Sequence, residues 1–287
     1  MRRRLSLRLS TYLILFIPAL ITWGCEDVVD IDLDQGETLL VVDGNVYDNE
    51  GPYTVRLNLT APYFANAPLP AAEGAKVTIT DNEGTSDRLT ETDPGVYVTD
   101  SLQGVPGRTY TLTVDYAGET YTAVSLLRAA PQIDSVYYTF EEEQAFQDAG
   151  YFLYYYGPEL PGQGDHYRLK VYRNGEQLTD PDDLIFFPDR LVNGNYLFDL
   201  QINSDPFEEQ DEFSLDLLSI TESHYFYLLE LQEQTNNGGL FSDPPANIRT
   251  NVVNTNPDGP AAVGWFTAAG INSIEGSIEG NEGVVYP

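Results

Sequence analysis

The chain has very little cysteine and little positive charge. Its 287 residues include one Cys, and 14 Lys+Arg stand against 45 Asp+Glu, for a formal net charge of −31. One Cys excludes an intrachain disulfide and a Cys-based zinc site. The shortage of positive charge argues against nucleic-acid binding, because attraction to phosphate needs a positive surface. We therefore expect no nucleic-acid partner.

Catalytic signatures are also missing. The two histidines, His166 and His224, lie in different predicted elements. No H-E-x-x-H, G-x-S-x-G or P-loop pattern occurs. A glycosidase-like pair of carboxylates stays open, because 45 acids offer many pairs and their spacing in the sequence says little. We predict that the protein is not an enzyme and has no catalytic residue, with a carbohydrate-active hydrolase as an alternative.

The first 24 residues have the pattern of a secretory signal. Four arginines come before an uncharged stretch at residues 11–23. As a helix that stretch would be only about 20 Å long, too short for a bilayer core of about 30 Å. A basic start followed by a short apolar stretch is typical of a signal peptide. We predict that residues 1–24 are removed.

Cys25 follows Gly24 at the predicted cleavage point. This junction resembles a bacterial lipobox, in which the Cys thiol is lipidated and becomes the mature N-terminus. Two or more acyl chains anchor a protein stably, whereas one does so only marginally. We predict lipidation of Cys25; an unreactive Cys in an ordinary signal is the alternative.

Residues 25–37 form an acidic tether. Such a charge run is usually solvated and self-repelling. Its place after the lipidated Cys resembles the signal that sends Bacteroidota lipoproteins to the outer face of the outer membrane. The alternative is a tether that carries no export signal, and the alternative location is the periplasmic face of the outer membrane. The predicted signal residues are Glu26, Asp27, Asp30, Asp32 and Asp34.

After the tether, short apolar–polar alternations are separated by turn residues. The alternation is clearest over residues 53–59 and 109–116, and it predicts strands. Strands at a spacing of roughly 8–12 residues are typical of a sandwich or barrel. We predict an all-β chain with an N-terminal Ig/transthyretin-like β-sandwich over residues 38–130. An irregular β-rich domain with one helix is predicted over residues 131–287.

Two local signals stand out in the second predicted domain. Asn174-Gly175 is a strong signal for a two-residue hairpin. Residues 219–235 predict the helix, because apolar residues recur on one face. Ser219 and Glu222 have the spacing of a capping box at its start.

The run YFLYYY at residues 151–156 is the candidate binding surface. Neighbours on a strand point to opposite faces, so either both faces are covered or some rings form an exposed patch. Exposed tyrosines anchor interfaces well. We predict a partner-binding or sugar-stacking surface at Tyr154, Tyr155 and Tyr156, with structural packing as the alternative.

Calcium is the one cofactor with candidate ligands. Oxygen ligands occur at Asp180, Asp182, Asp183 and Asp243, but neither segment matches an EF-hand loop. As solvated loop acids they need no metal. We expect no cofactor; a surface adhesin with calcium-stabilised loops is an alternative.

The order of several short segments resembles that of one family. The segments are CED at 25–27, LVVDG at 40–44, GPYTV at 51–55, GAKVTI at 74–79, GRTYTL at 107–112, HY at 224–225, DPPANI at 243–248 and VGWF at 263–266. Together they resemble the Bacteroidota outer-membrane lipoproteins classed as domain of unknown function forty-two forty-nine. The similarity extends over nearly the whole mature chain.

The resemblance implies a two-part, β-rich lipoprotein of the outer membrane. Members of that family commonly accompany TonB-dependent transporters, which are β-barrels, and the family brings no catalytic residue. We therefore expect a surface-exposed, non-enzymatic accessory or binding partner of such a transporter. The ligand and the oligomeric state do not follow from the sequence.

Overall fold

The computed structural model describes residues 37–62, 67–236 and 248–287. Within the chain, Glu37–Pro287 forms one compact unit. Several predicted positions lie outside the described residues, so their predictions stay as they are. These positions are Cys25, Glu26, Asp27, Asp30, Asp32, Asp34 and Asp243.

The described chain is mostly β-strand. Its strands in the first part are β1 (Leu40–Tyr47), β2 (Thr54–Leu59), β3 (Lys76–Asp81), β4 (Ser86–Arg88), β5 (Thr90–Asp93), β6 (Val96–Val98), β7 (Thr109–Tyr116) and β8 (Glu119–Leu126). The later elements are β9 (Ser135–Glu141), β10 (Gly150–Pro158), β11 (His166–Arg173), β12 (Glu176–Gln177), β13 (Ile185–Pro188), β14 (Tyr196–Gln201), β15 (Glu212–Ile220), α1 (Glu222–Thr235), β16 (Val252–Asn254), β17 (Ala262–Ser277) and β18 (Glu282–Val285). The all-β fold class with one helix is confirmed for these residues.

The first core lies between two sheets. One runs in the order β17-β1-β2-β6-β5 and the other in the order β16-β8-β7-β3-β4. Val42 and Leu57 from one sheet and Ile79 and Leu112 from the other belong to the same buried cluster. Because side chains alternate along a strand, each apolar–polar run supplies one layer of this sandwich.

The second core lies between β12-β11-β15-β17 and β14-β10-β9-β18. Leu169 and Leu215 from the first sheet and Val136 and Leu153 from the second are buried together. The predicted hairpin is confirmed. β11 and β12 pair through Arg173 and Glu176, and both residues between them have the positive φ that a tight hairpin turn requires.

β17 takes part in both cores. Residues 262–269 pair in parallel with β1, and residues 270–277 pair antiparallel with β15. A strand from near the C-terminus therefore completes the sheet that begins at Leu40. The domain boundary between residues 130 and 131 stays a prediction.

α1 packs on the face of β15 and β17 that lies away from the second core. Thr221 caps it, with the hydroxyl oxygen accepting the His224 N–H at 3.2 Å. Ser219 lies in β15 and is fully buried, so the capping box predicted for Ser219 and Glu222 is wrong. The strand extends further than expected because Ile220 still pairs with His166 of β11.

No helix within the described ranges combines the length and the apolar composition needed to cross a bilayer.

Candidate functional site

β10 places the three predicted tyrosines on opposite faces of its sheet. Tyr155 is 1% exposed and belongs to the second core. Its side chain therefore cannot contribute to a surface, and this corrects the prediction for that residue. Tyr154 and Tyr156 are half-buried and point to the other side of the sheet. The alternation along the strand is the physical reason for this division.

Other aromatic rings join Tyr154 and Tyr156 on that side. Tyr137 is the cross-strand neighbour of Tyr154, with ring centroids 6.2 Å apart. On β14, Phe198 is 66% exposed and Tyr196 is 45% exposed, whereas Leu197 between them packs on the core. We call this surface the outer tyrosine face. Its members are Tyr137, Tyr154, Tyr156, Tyr196, Phe198 and the exposed Val284 of β18.

Carboxylates accept hydrogen bonds from three hydroxyls of the face. Tyr137 donates to Glu282 at 3.2 Å, Tyr154 donates to Glu141, and Tyr156 donates to Asp199. These three carboxylates are the face carboxylates. Their hydrogen bonds hold the rings in place.

The surroundings of Tyr154 and Tyr156 keep these two phenols protonated. The hydrogen bond to Asp199, followed by burial, raises the pKa of Tyr156 to about 12. Burial, followed by the hydrogen bond to Glu141, raises the pKa of Tyr154 further. The hydroxyls of Tyr154 and Tyr156 therefore act as donors at physiological pH.

Positive charge is missing from the strands of this sheet. β9, β10, β14 and β18 contain neither Lys nor Arg. The face thus combines exposed aromatic surface with uncompensated negative charge. This arrangement can bind a partner.

A pocket of about 330 Å³ opens beside the face. Phe152, two residues before Tyr154 on β10, forms part of its wall. Phe146, which is fully exposed, forms another part together with Asp148 and Asp205. Sequence patterning did not reveal the pocket, because its walls come from segments separate in the chain.

A group of carboxylates lies elsewhere, at Glu159, Asp165 and Asp189. Their oxygens lie within 4.8 Å of one another. Each already has a protein partner: Tyr167 Oη donates to Glu159 at 2.7 Å, Gly164 N donates to Asp189 at 2.9 Å, and Arg128 pairs with Asp165 at 2.8 Å. Sequence reasoning missed this group because only the fold brings Asp189 to Glu159 and Asp165, and their spacing matches no metal-binding motif. We therefore do not assign a metal to this group.

The predicted calcium ligands do not belong to that group. Pro181–Asp183 forms a short 3-10 turn. Asp183 accepts hydrogen bonds from the Asp180 N–H at 3.2 Å and from the Ser204 hydroxyl at 2.6 Å. The carboxylate of Asp183 thus stabilises its own loop.

His224 forms part of the contact between α1 and β17. Its ring stacks on Trp265 at 5.5 Å, and Nδ1 lies 3.1 Å from the Thr267 hydroxyl. His224 and Thr267 are 4% and 5% exposed, so substrate has no access to this pair. Burial, followed by the charges of Arg168 and Lys170, lowers the pKa of His224 well below its usual value. The neutral ring is therefore a packing residue.

His166, the other histidine, is also a packing residue. Its ring lies 5.0 Å from that of Tyr225, and Nδ1 is 3.1 Å from the Gly164 carbonyl oxygen. His166 is 7% exposed.

Arg168 and Lys170 are half-buried on the same side of β11 as α1. Lys170 Nζ donates to the Tyr47 hydroxyl at 3.1 Å, and Arg168 Nε is buried without a partner. Burial, followed by the charge of Arg168, lowers the pKa of Lys170 to about 8. The positive charges of Arg168 and Lys170 are therefore destabilised, because burial removes them from water and they repel each other.

Comparison with known proteins bears on the family. A search among curated proteins found no match. A family model with the description Domain of unknown function (DUF4249) matches residues 26–275. This match confirms the family that the order of the short segments indicates. It includes the first core, most of the second core, α1 and most of the outer tyrosine face, so the protein belongs to the DUF4249 family.

Proposed function

We propose that this protein is a non-enzymatic accessory of a TonB-dependent outer-membrane transporter. It is anchored through lipidated Cys25 and faces the cell exterior. The observation that carries the proposal is the outer tyrosine face, where aromatic side chains are exposed on one side of a rigid sheet. The face provides the contact with the transporter.

The character of the face supports binding. Large aromatic residues are enriched at protein interfaces and contribute much of their binding energy. Phe198 is 66% exposed, which is unfavourable for a large apolar ring unless a partner covers it. The rings of Tyr154 and Tyr156 are already held by hydrogen bonds, so binding orders few side chains.

The N-terminal sequence supports the anchor and the location. A signal-like segment ends at the single Cys, and the acidic residues that follow resemble an export signal. The family match begins at residue 26, directly after that Cys. The periplasmic face of the outer membrane is the alternative location.

The alternative functions make different demands. A hydrolase would have to use exposed carboxylates, because both histidines, Glu159 and Asp189 are buried. A calcium-stabilised adhesin requires a melting temperature that falls on chelation, because a metal that binds only the folded state stabilises it. The accessory requires neither property.

Co-purification tests the proposal. Tagged protein is extracted from outer membranes in mild detergent, beside a Cys25→Ala variant. We expect the native chain to incorporate radiolabelled palmitate and to recover a β-barrel transporter, and the variant to do neither. Repeated recovery of the native chain without a barrel would contradict the proposal. Protease treatment of whole cells distinguishes the two membrane faces.

A further inference from the structure

We propose that the outer tyrosine face binds a segment of the partner protein that is rich in lysine or arginine. This inference rests on the proposed function for the identity of the partner, and it adds the partner's chemistry. It is argued from charge complementarity between the face and its occupant.

The face carboxylates are the first part of the argument. Glu141, Asp199 and Glu282 each accept a hydrogen bond from a tyrosine hydroxyl. Glu141 also accepts one from Gln147 Nε2 at 2.8 Å. Neutral donors do not cancel a carboxylate charge, and a carboxylate with about four acceptor sites has some left after one or two hydrogen bonds. Among the described residues, none of these three forms an ion pair. Each therefore remains available to an ammonium or guanidinium group.

The pocket beside the face extends the same chemistry. Asp148 and Asp205 line it, together with Phe146 and Phe152. The ion pairs of the described residues involve neither aspartate. A cation over an aromatic ring is attracted to its π-electrons. With about 330 Å³ of space, the pocket has room for a basic side chain.

Arg173, which contacts the backbone beside the pocket, is already occupied by groups of its own chain. The Arg173 guanidinium donates to the carbonyl oxygens of Asp205 and Pro206 at 3.1 and 2.9 Å. It also lies 4.2 Å from the centroid of the Phe207 ring. Arg173 thus binds the backbone of the 205–206 segment and does not line the pocket.

Other kinds of occupant fit less well. A neutral sugar could stack on the rings but would leave the carboxylate charges uncompensated. Anionic lipid headgroups would be repelled. A basic protein segment satisfies both features at once, because its long side chains cover aromatic surface while their charged ends reach carboxylates.

The test uses fluorescein-labelled tetra-arginine amide and measures fluorescence anisotropy with the purified protein. The matched probe is tetra-citrulline amide, which has nearly the same shape without the charge. One variant, E141Q/D199N/E282Q, neutralises the face carboxylates. A second, D148N/D205N, neutralises only the pocket and leaves the tyrosine partners in place.

A control variant separates the face from the net charge of −31. E73Q/D93N/E176Q removes three exposed acids elsewhere, so it changes the net charge by the same amount as the face variant. We expect the face variant to weaken tetra-arginine binding about tenfold and the control to change it less than about twofold. We also expect a clear loss in the pocket variant and no binding of tetra-citrulline. Thermal unfolding shows that each variant is folded.

Three results would overturn the inference: equal losses in the face and control variants, equal binding of the two peptides, or unchanged binding in both the face and pocket variants. The co-purification experiment separates this failure from failure of the proposed function. If the native chain and the face variant recover the barrel equally well, the inference of a basic partner segment is wrong, whereas the proposed accessory function is still supported. If tetra-arginine binds the face but no barrel is ever recovered, the proposed accessory function is wrong, whereas the inferred preference of the face for cations is still supported.

Discussion

Gly264 allows β17 to pass close to β1. Its φ is +95°, and a Cβ there would lie 2.0 Å from the Val42 carbonyl oxygen. We expect Gly264→Ala to lower the free energy of unfolding by about 3 kcal/mol or more, because backbone strain and a backbone clash add together. Gly175→Ala is the control, since Gly175 also has a positive φ but open space around it. It should lower stability by only about 1 kcal/mol. Urea unfolding measures both, and similar losses would contradict the role of the close approach.

Lys170 gives a second test at the level of one residue. Its pKa is about 8 in the fold against about 10.4 in an unfolded chain. Between these values the unfolded state binds more protons, so stability rises with pH. At pH 7 Lys170 is charged in both the folded and the unfolded state, so the full cost of placing its charge in this site lowers the stability of the fold. We therefore expect Lys170→Met to stabilise the protein at pH 7.

The stabilising effect of Lys170→Met should shrink as the pH rises from 8 towards 10. Urea unfolding of both proteins at pH 7 and pH 10 measures it, and the comparison cancels the titration of groups that they share. An effect of Lys170→Met that is the same at both pH values would contradict the lowered pKa.

At the level of elements, the contact between α1 and β17 depends on neutral His224. Its pKa is well below the usual value in the fold, against about 6.5 in an unfolded chain. Stability is therefore fully present above pH 6.5 and falls as the pH drops below it, because the unfolded state takes up a proton first. By pH 5.5 the native protein should lose about 1.4 kcal/mol through this residue.

His224→Gln removes this titration and keeps a polar side chain near Thr267. The variant should be less stable at pH 7.5, and its additional loss on going to pH 5.5 should be smaller than that of the native protein. Urea unfolding of both proteins at pH 7.5 and pH 5.5 measures these losses. If the stability of both proteins changes equally between the two pH values, His224 takes up its proton in the fold as readily as in the unfolded chain. That result would contradict the lowered pKa.

The elements differ in how well the sequence predicts them. β7 was predicted over residues 109–116, the bounds that the structure has, because its alternation is regular and turn residues flank it. β17 runs from Ala262 to Ser277, and its second half was not among the predicted strands. Residues 270–277 include two Gly and two Ser, which carry little periodic signal, and only pairing with β15 reveals them as a strand.

The candidate site was predictable in part. The alternation rule predicts that neighbouring tyrosines of β10 face opposite sides, and the structure places Tyr154 and Tyr156 outside and Tyr155 inside. Which side faces the core depends on packing against β11 and β15, and no local pattern encodes it. The carboxylate partners were hidden for a similar reason, since Glu282 lies 145 residues from Tyr137 in the sequence.

For the whole molecule, two cores joined by β17 present the outer tyrosine face on a stable scaffold. The face belongs to the four-stranded sheet, which has no basic residue in its strands. In a chain with net charge −31, a negative surface is common. The concentration of exposed aromatic rings within that surface is the reason why we propose this face as the place of contact.

Photocrosslinking from the face in intact cells tests the central claim most directly. p-Benzoylphenylalanine is introduced at Phe198 or, as the control, at Val253 of β16, which are 66% and 61% exposed. We predict that irradiation links the protein to an outer-membrane β-barrel transporter from position 198 and not from position 253. Failure of position 198 to capture a barrel, or equal capture from both positions, would contradict the account.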